Sequence, residues 1–304
     1  FIGGAPGTTI AGRPLGSSQI GNSEPYVAAA GNFEQSQSAA ITGLLILDGV
    51  DISQDSGTTL TLQSILESTY NGQVGSGTAT ITGGYLTTGN GTPLYVRTNE
   101  AGDILDVGDQ ILASTTGGLT KSGDGTLILS NNGNAYTGGT VITGGTLQLG
   151  DGSNDGNLGG GAVTNYAALV VNNNADTVIG NDIGGDGTLI LTGGTTGGAT
   201  VELTGNNTYS GETEVQSGTL QIGTSGSLSA QTAVVLGNGT ASGVLVLGDG
   251  TGGAVSATLS SLGTSGTATG NAVVGGNGAT SNLTVANNTD ETFGGTIGGT
   301  GVNQ

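Results

Sequence analysis

The sequence predicts an all-β protein, a β-solenoid whose coils of about 20 residues stack one on the next. Three observations carry that expectation. Glycine makes up 65 of 304 residues, roughly three times its usual share. Short runs of Val, Ile, Leu and Thr recur between glycine pairs and Asn/Asp clusters. The same words also return at a regular step: Gly125-Thr126-Leu127 comes back as Gly145-Thr146-Leu147.

The glycines follow no Gly-X-Y period and the chain has 4 prolines, which excludes collagen. Recurrent apolar runs argue against disorder, because disordered chains lack them. Glycine-rich turns between many short strands indicate an all-β architecture. Cysteine is absent, so there is neither a disulfide framework nor a thiolate metal site. The net charge is −19, with 22 acids against Arg13, Arg97 and Lys121. That balance excludes nucleic acid as a partner, because phosphates need a basic surface. It also disfavours anionic membranes and keeps a long β-surface from aggregating. No apolar run approaches the roughly 18 residues that would span a bilayer. The chain opens at Phe1 without a basic leader, so a processed product or an excised piece is expected.

In order, residues 1–40 stand apart. They carry Pro6, Pro14 and Pro25 and few strand runs. The expectation is an irregular leader, a cap over the open end of the solenoid, or an arm that adds strands to a neighbouring molecule. Residues 41–304 are expected to form the solenoid. Leu44–Leu47, Thr59–Leu62, Thr78–Thr82, Leu94–Arg97 and Asp103–Asp106 read as strands; Ser64–Ser68 has the look of a helical turn too short to hold alone. The stretch Gly118–Gly150 holds three strands, Thr126–Leu129, Thr140–Ile142 and Thr146–Leu149. Later, Gly185-Asp186-Gly187-Thr188-Leu189-Ile190-Leu191 restates Gly123–Leu129, Tyr209 and Gly218–Gly223 restate the Tyr136 region, and Ala233-Val234-Val235 returns as Ala272-Val273-Val274. Alternation puts Leu, Ile and Val on one face of each strand, and neighbouring coils must cover that face. About 15 coils at about 4.8 Å would give a rod about 70 Å long. Thr296–Val302 echoes Asp182–Thr188, after which a Leu-rich strand is expected; the chain instead ends at Gln304. A solenoid open at its C-terminal end, self-associating head to tail through open ends, is the corresponding expectation.

At Leu119-Thr120-Lys121, Gly-x-Gly-Thr-Leu, Asn134-Ala135-Tyr136 and Gly145–Gly150, and again at Asn206-Asn207-Thr208-Tyr209 and Gly218–Gly223, the sequence resembles the autotransporter-associated β-strand repeat. The resemblance implies a right-handed parallel β-helix that is exported and displayed at the bacterial surface or released, serving as a structural rod or adhesin stalk. The long amphipathic strands and aromatic girdles of that family's outer-membrane barrel do not occur in this sequence.

Parallel β-helices also host carbohydrate-active enzymes, which work with paired carboxylates. The candidates are Asp103, Asp106 and Asp109, and Glu212 with Glu214, which share one strand face. The first set is expected to decorate turns and edges and the second to form a solvated face. With no His, no Cys and three basic residues, few acid–base or nucleophilic constellations can be assembled, so no enzyme is expected. Calcium is the cofactor alternative: Asp151, Asp155, Asp182, Asp186 and Asp249 sit beside Gly and Asn in oxygen-rich turns, although Asx residues also occupy turns for backbone reasons. A surface glycan or a host ligand is the partner alternative. Tyr136 and Tyr209 occupy equivalent repeat positions and are expected to pack inside. Asn90, Asn206, Asn238, Asn282 and Asn287 lie in Asn-x-Ser/Thr acceptors for glycosylation.

Overall fold

The computed structural model describes residues 26–29, 32–68, 77–89, 91–114, 116–193, 198–276, 280–286 and 292–298. Within them the secondary structure is β-strand throughout, and the strands of successive turns pair in parallel. The fold is a parallel β-solenoid. Among the described residues no helix is long and apolar enough to cross a membrane.

Each turn visits up to three faces in a fixed order. The first face is an 8-stranded sheet running from Tyr26–Ala29 to Ile183–Gly185. The second face is an 11-stranded sheet from Phe33–Gln35 to Ser261–Thr264 and forms the spine of the molecule. The third position begins as a 4-stranded sheet ending at Gln110–Ile111 and resumes as a 6-stranded sheet from Thr177–Ile179 to Thr296–Ile297. Between those two sheets the third position is held by asparagine-rich turns.

Alternation within each strand decides what is buried. Thr126–Leu129 and Thr146–Leu149 bury every second residue. Register then stacks identical side chains: Leu105, Leu127, Leu147, Leu169 and Leu189 form one interior column, and all five are buried. Each such leucine contributes about 1.5–3 kcal/mol relative to exposure, but only because the rungs above and below cover it. The glycine of Gly-Thr-Leu has its own reason. Gly145 has φ of +63°, and a Cβ there would run into the carbonyl of Gly125 in the rung below. A left-handed backbone and this close approach both call for glycine.

Several expectations change. The spine holds 11 strands where about 15 coils were expected, and at about 4.8 Å per step it is about 50 Å long. The 20-residue coil holds where Thr126 pairs with Thr146. Elsewhere loops lengthen the turn, as where Ile52 pairs with Ile81 and Ala233 with Ser261, so a turn averages about 24 residues. Ser64–Ser68, with its helical look, is a strand of the first face; pairing on both sides with Gly43–Leu47 and Leu94–Thr98 overrides local preference. Parallel pairing already begins at Tyr26–Ala29, so the rungs start earlier than residue 41. Residues 1–25 and 299–304 lie outside the described residues, and with them most of the expected leader and the expected open end.

Candidate functional site

The signature residues of the repeat point inward. Lys121 sits on the inner side of Leu119–Ser122, stacked between Val96 and Ile142, and is fully buried. Its ammonium has three hydrogens, and they go to three carbonyls: Ser122 O at 2.9 Å, Gly123 O at 2.9 Å and Gly144 O at 3.0 Å, the last from the next rung. Burial pushes its pKa down to about 8, with Asp124 opposing and Arg97 adding to that shift.

Asn134 replaces a strand in the third position. Its Oδ1 accepts the Ile111 amide at 2.9 Å, its Nδ2 donates to Asn131 O at 2.9 Å and Asn157 O at 3.0 Å, and its own amide reaches Asn157 Oδ1 at 2.9 Å. Three consecutive rungs are thereby tied through side chains where the backbone ladder lapses. Asn207 repeats the arrangement, accepting the Ile183 amide at 3.0 Å and donating to Ser227 O at 2.9 Å. Two residues on, Tyr136 and Tyr209 fill the interior with no exposed surface. Each hydroxyl meets the threonine four residues later: Tyr136 with Thr140 at 2.8 Å and Tyr209 with Thr213 at 2.6 Å. Burial raises both phenols, Tyr209 to about 12. The motif Asn-x-Tyr-x-x-x-Thr is thus a rung-to-rung fastener.

A different arrangement lies in the first turns. Glu67 and its register partner Thr98 both face the interior and both have no exposed surface. Asp103 is equally buried. Its Oδ2 accepts the Glu100 amide at 2.8 Å. Its Oδ1, both oxygens of Glu67, both of Asp48 and the Thr98 hydroxyl have no partner; among the described residues these six are the buried side-chain polar atoms left unpaired. Burial pushes Glu67 up to about 8, and the charges of Asp103 and Asp48 add to it.

The acids singled out in the sequence separate. Asp103 and Asp109 are buried, not turn and edge decoration as expected. Strand alternation places them with Leu105 and Val107 on the inner side, while Asp106 takes the other side and accepts from Ser130 Oγ at 2.5 Å. Asp109 accepts from Gly84 N at 2.7 Å and from Gln54 Nε2, and burial lifts it to about 6. Glu212 and Glu214 flank buried Thr213 on the outer side, and Glu214 accepts from Gln216 at 2.8 Å.

Of the calcium candidates, four spend oxygens on amides. Asp151 accepts from Ser153 N and Asn154 N, both at 2.6 Å. Asp155 accepts from Asn174 N at 2.8 Å and Asp182 from Asn206 N at 2.7 Å. Asp249 takes four hydrogen bonds from Thr224 and Thr251, which hold its carboxyl well below the usual range. Asp186 is exposed. Among the described residues no group of three or more acids is gathered to hold a metal ion. Asn206, Asn238 and Asn282 are exposed; Asn90 and Asn287 lie outside the described residues.

Glu67 and Thr98 escaped sequence reasoning. Period-two alternation with Ile65, and with Leu94 and Val96, was the signal that places both inside.

A parallel solenoid with inward-facing fasteners is a repeat protein by construction. Residues 119–149 and 195–222 match the passenger-associated-transport-repeat family. With the fold, that match supports an autotransporter passenger-type β-helix repeat in these two stretches of the chain. No curated protein and no solved structure matches it.

Proposed function

We propose that this chain is a non-enzymatic, extracellular rod or stalk element of a bacterial surface protein. One observation carries the reading: the residues that define the repeat, Lys121, Asn134, Tyr136, Asn207 and Tyr209, are all buried and are bonded within or between rungs. A sequence signature spent on the interior specifies stacking, length and resistance to unfolding rather than a ligand. The passenger-type repeat supports export, since such repeats belong to domains secreted to the cell surface. The test is surface proteolysis of intact host cells combined with electron microscopy of the released chain. The expected result is a rod accessible from outside; a chain retained inside, or a compact particle, contradicts the proposal.

A second reading, a surface adhesin, draws on Tyr95 and Tyr166. These are exposed at 51% and 57%, and Tyr95 lies on the outer side of the first face. Exposed aromatic rings are common contact groups for sugars and proteins. A glycan array tests its sugar-binding form: saturable binding lost in Tyr95→Ala or Tyr166→Ala would favour this reading, and an empty array would count against a glycan as the ligand.

A further inference from the structure

The acidic corner of the first turns is unlike any other buried polar group described in the chain. Asp48 follows Gly43–Leu47, Glu67 lies in Ser64–Ser68, Thr98 closes Leu94–Thr98, and Asp103 precedes Ile104–Val107. Glu67 faces Thr98 across one step of the sheet and feels the charges of Asp103 and Asp48, so these partnerless oxygens surround one buried carboxyl without converging on a single point. Buried polar atoms are nearly always paired, so such a concentration of acceptors asks what supplies the hydrogens.

Among the described residues, cationic side chains do not. Lys121, one rung on from Thr98, has all three hydrogens on carbonyls. Arg97 projects to the opposite side of its strand and donates Nε to Asn99 Oδ1 at 3.1 Å. Glu100 is turned to Asn99, which donates to its Oε1 at 2.7 Å, and Asp109 has its own donors in Gly84 and Gln54. Ile46, the register partner of Glu67 on its other side, is apolar. A metal ion is a poor fit as well, since no three acids of the described residues are gathered to hold one. A proton does fit, because a protonated carboxyl turns one acceptor into a donor.

We infer that Asp48, Glu67, Thr98 and Asp103 form a buried proton-binding site, and that losing its proton weakens the first turns of the solenoid. Glu67 is the group that carries the proton. In the unfolded chain its carboxyl titrates near its ordinary value of 4.5, whereas in the folded chain it titrates near 8. Between those values the folded chain holds a proton that the unfolded chain releases. Stability therefore falls as pH rises through that window, and this contribution is constant above it. The first turns would be firmest in mildly acidic surroundings and loosest in alkaline ones.

The experiment is thermal unfolding of the full chain between pH 5 and pH 8, for wild type, Glu67→Gln and Glu214→Gln, each with millimolar calcium or with chelator. The amide that Glu67→Gln introduces supplies a donor without a charge. Expected are a melting temperature that falls with pH in wild type and in Glu214→Gln, a flatter profile in Glu67→Gln, and a higher melting point for that variant than wild type at pH 8. Calcium should change none of these. Parallel slopes in all three proteins would overturn the proposal. A calcium-dependent rise at pH 8 that Glu67→Gln abolishes would overturn it in favour of a cation site. Should Glu67→Gln fail to fold, the carboxyl carbon of Glu67 in wild type, followed by NMR, decides: a midpoint near 4.5 excludes the site, and a midpoint near 8 supports it.

Discussion

The turns that carry the repeat and the turns that precede it both bury polar side chains, but they treat them differently. In the repeat, Lys121 meets three carbonyls, Asn134 joins three rungs and Tyr136 closes on Thr140. In the first turns, Glu67 and Asp103 lie as deep and leave oxygens unpaired. The difference follows from coil length. In a tight coil the corner glycines of adjacent rungs bring backbone carbonyls close together, as Gly123 and Gly144 do around the Lys121 ammonium. The coil that follows Glu67 is longer, 98 − 67 = 31 residues to its register partner Thr98 against 142 − 121 = 21 from Lys121 to Ile142, and no backbone group pairs with the Glu67 oxygens. A polar residue inside a solenoid is tolerated when the rung spacing places a partner at its head.

The sharpest way to break the comparison is Lys121→Ala. It removes a buried stem and strands three carbonyls, so a loss of about 3–5 kcal/mol is expected in urea unfolding. A loss below about 1 kcal/mol would mean the lysine is not a fastener. Asn134→Ala and Asn207→Ala come next, at about 2–4 kcal/mol each, because Ile111 or Ile183 loses its acceptor along with the facing carbonyls. Tyr136→Phe and Tyr209→Phe keep the ring and lose one hydroxyl, so about 1–2 kcal/mol is expected from the stranded threonine.

Acidity probes both regions at once. Glu67 makes stability fall from pH 4.5 to about 8, and Asp109 adds to the fall between 3.8 and about 6. Lys121 acts with the opposite sign. Its folded pKa is depressed from 10.5 to about 8, so above pH 8 the folded chain has shed a proton that the unfolded chain retains, and stability rises with pH. A minimum in melting temperature near pH 8 is the expected profile; Glu67→Gln should remove its acidic limb. The smallest effect belongs to the outer face, where replacing Glu212 and Glu214 by glutamine should change stability by no more than about 0.5 kcal/mol.

Much of this was legible beforehand. Thr126–Leu129, Thr140–Ile142 and Thr146–Leu149 are strands with the expected bounds, because alternation and glycine corners agree there. The inward tyrosines followed from their repeat positions. Coil number did not follow, because loop insertions such as the one between Ile52 and Ile81 leave no period to count. Ser64–Ser68 looked helical because a strand's neighbours, lying rungs away in sequence, decide its state. Asp103 and Asp109 share strand parity with Leu105 and Val107, so their burial was readable; the general rule that acids stay outside obscured it.

Hydrogen exchange on the intact chain at pH 8 tests the central claim directly, because it reads the opening of each turn separately. The fastener account predicts that amides in the strands from Leu119–Ser122 to Gly218–Ile222 exchange slowest, and that those of Gly43–Leu47, Ser64–Ser68 and Leu94–Thr98 open first. Equal protection along the spine, or slower exchange in the first turns, would contradict it.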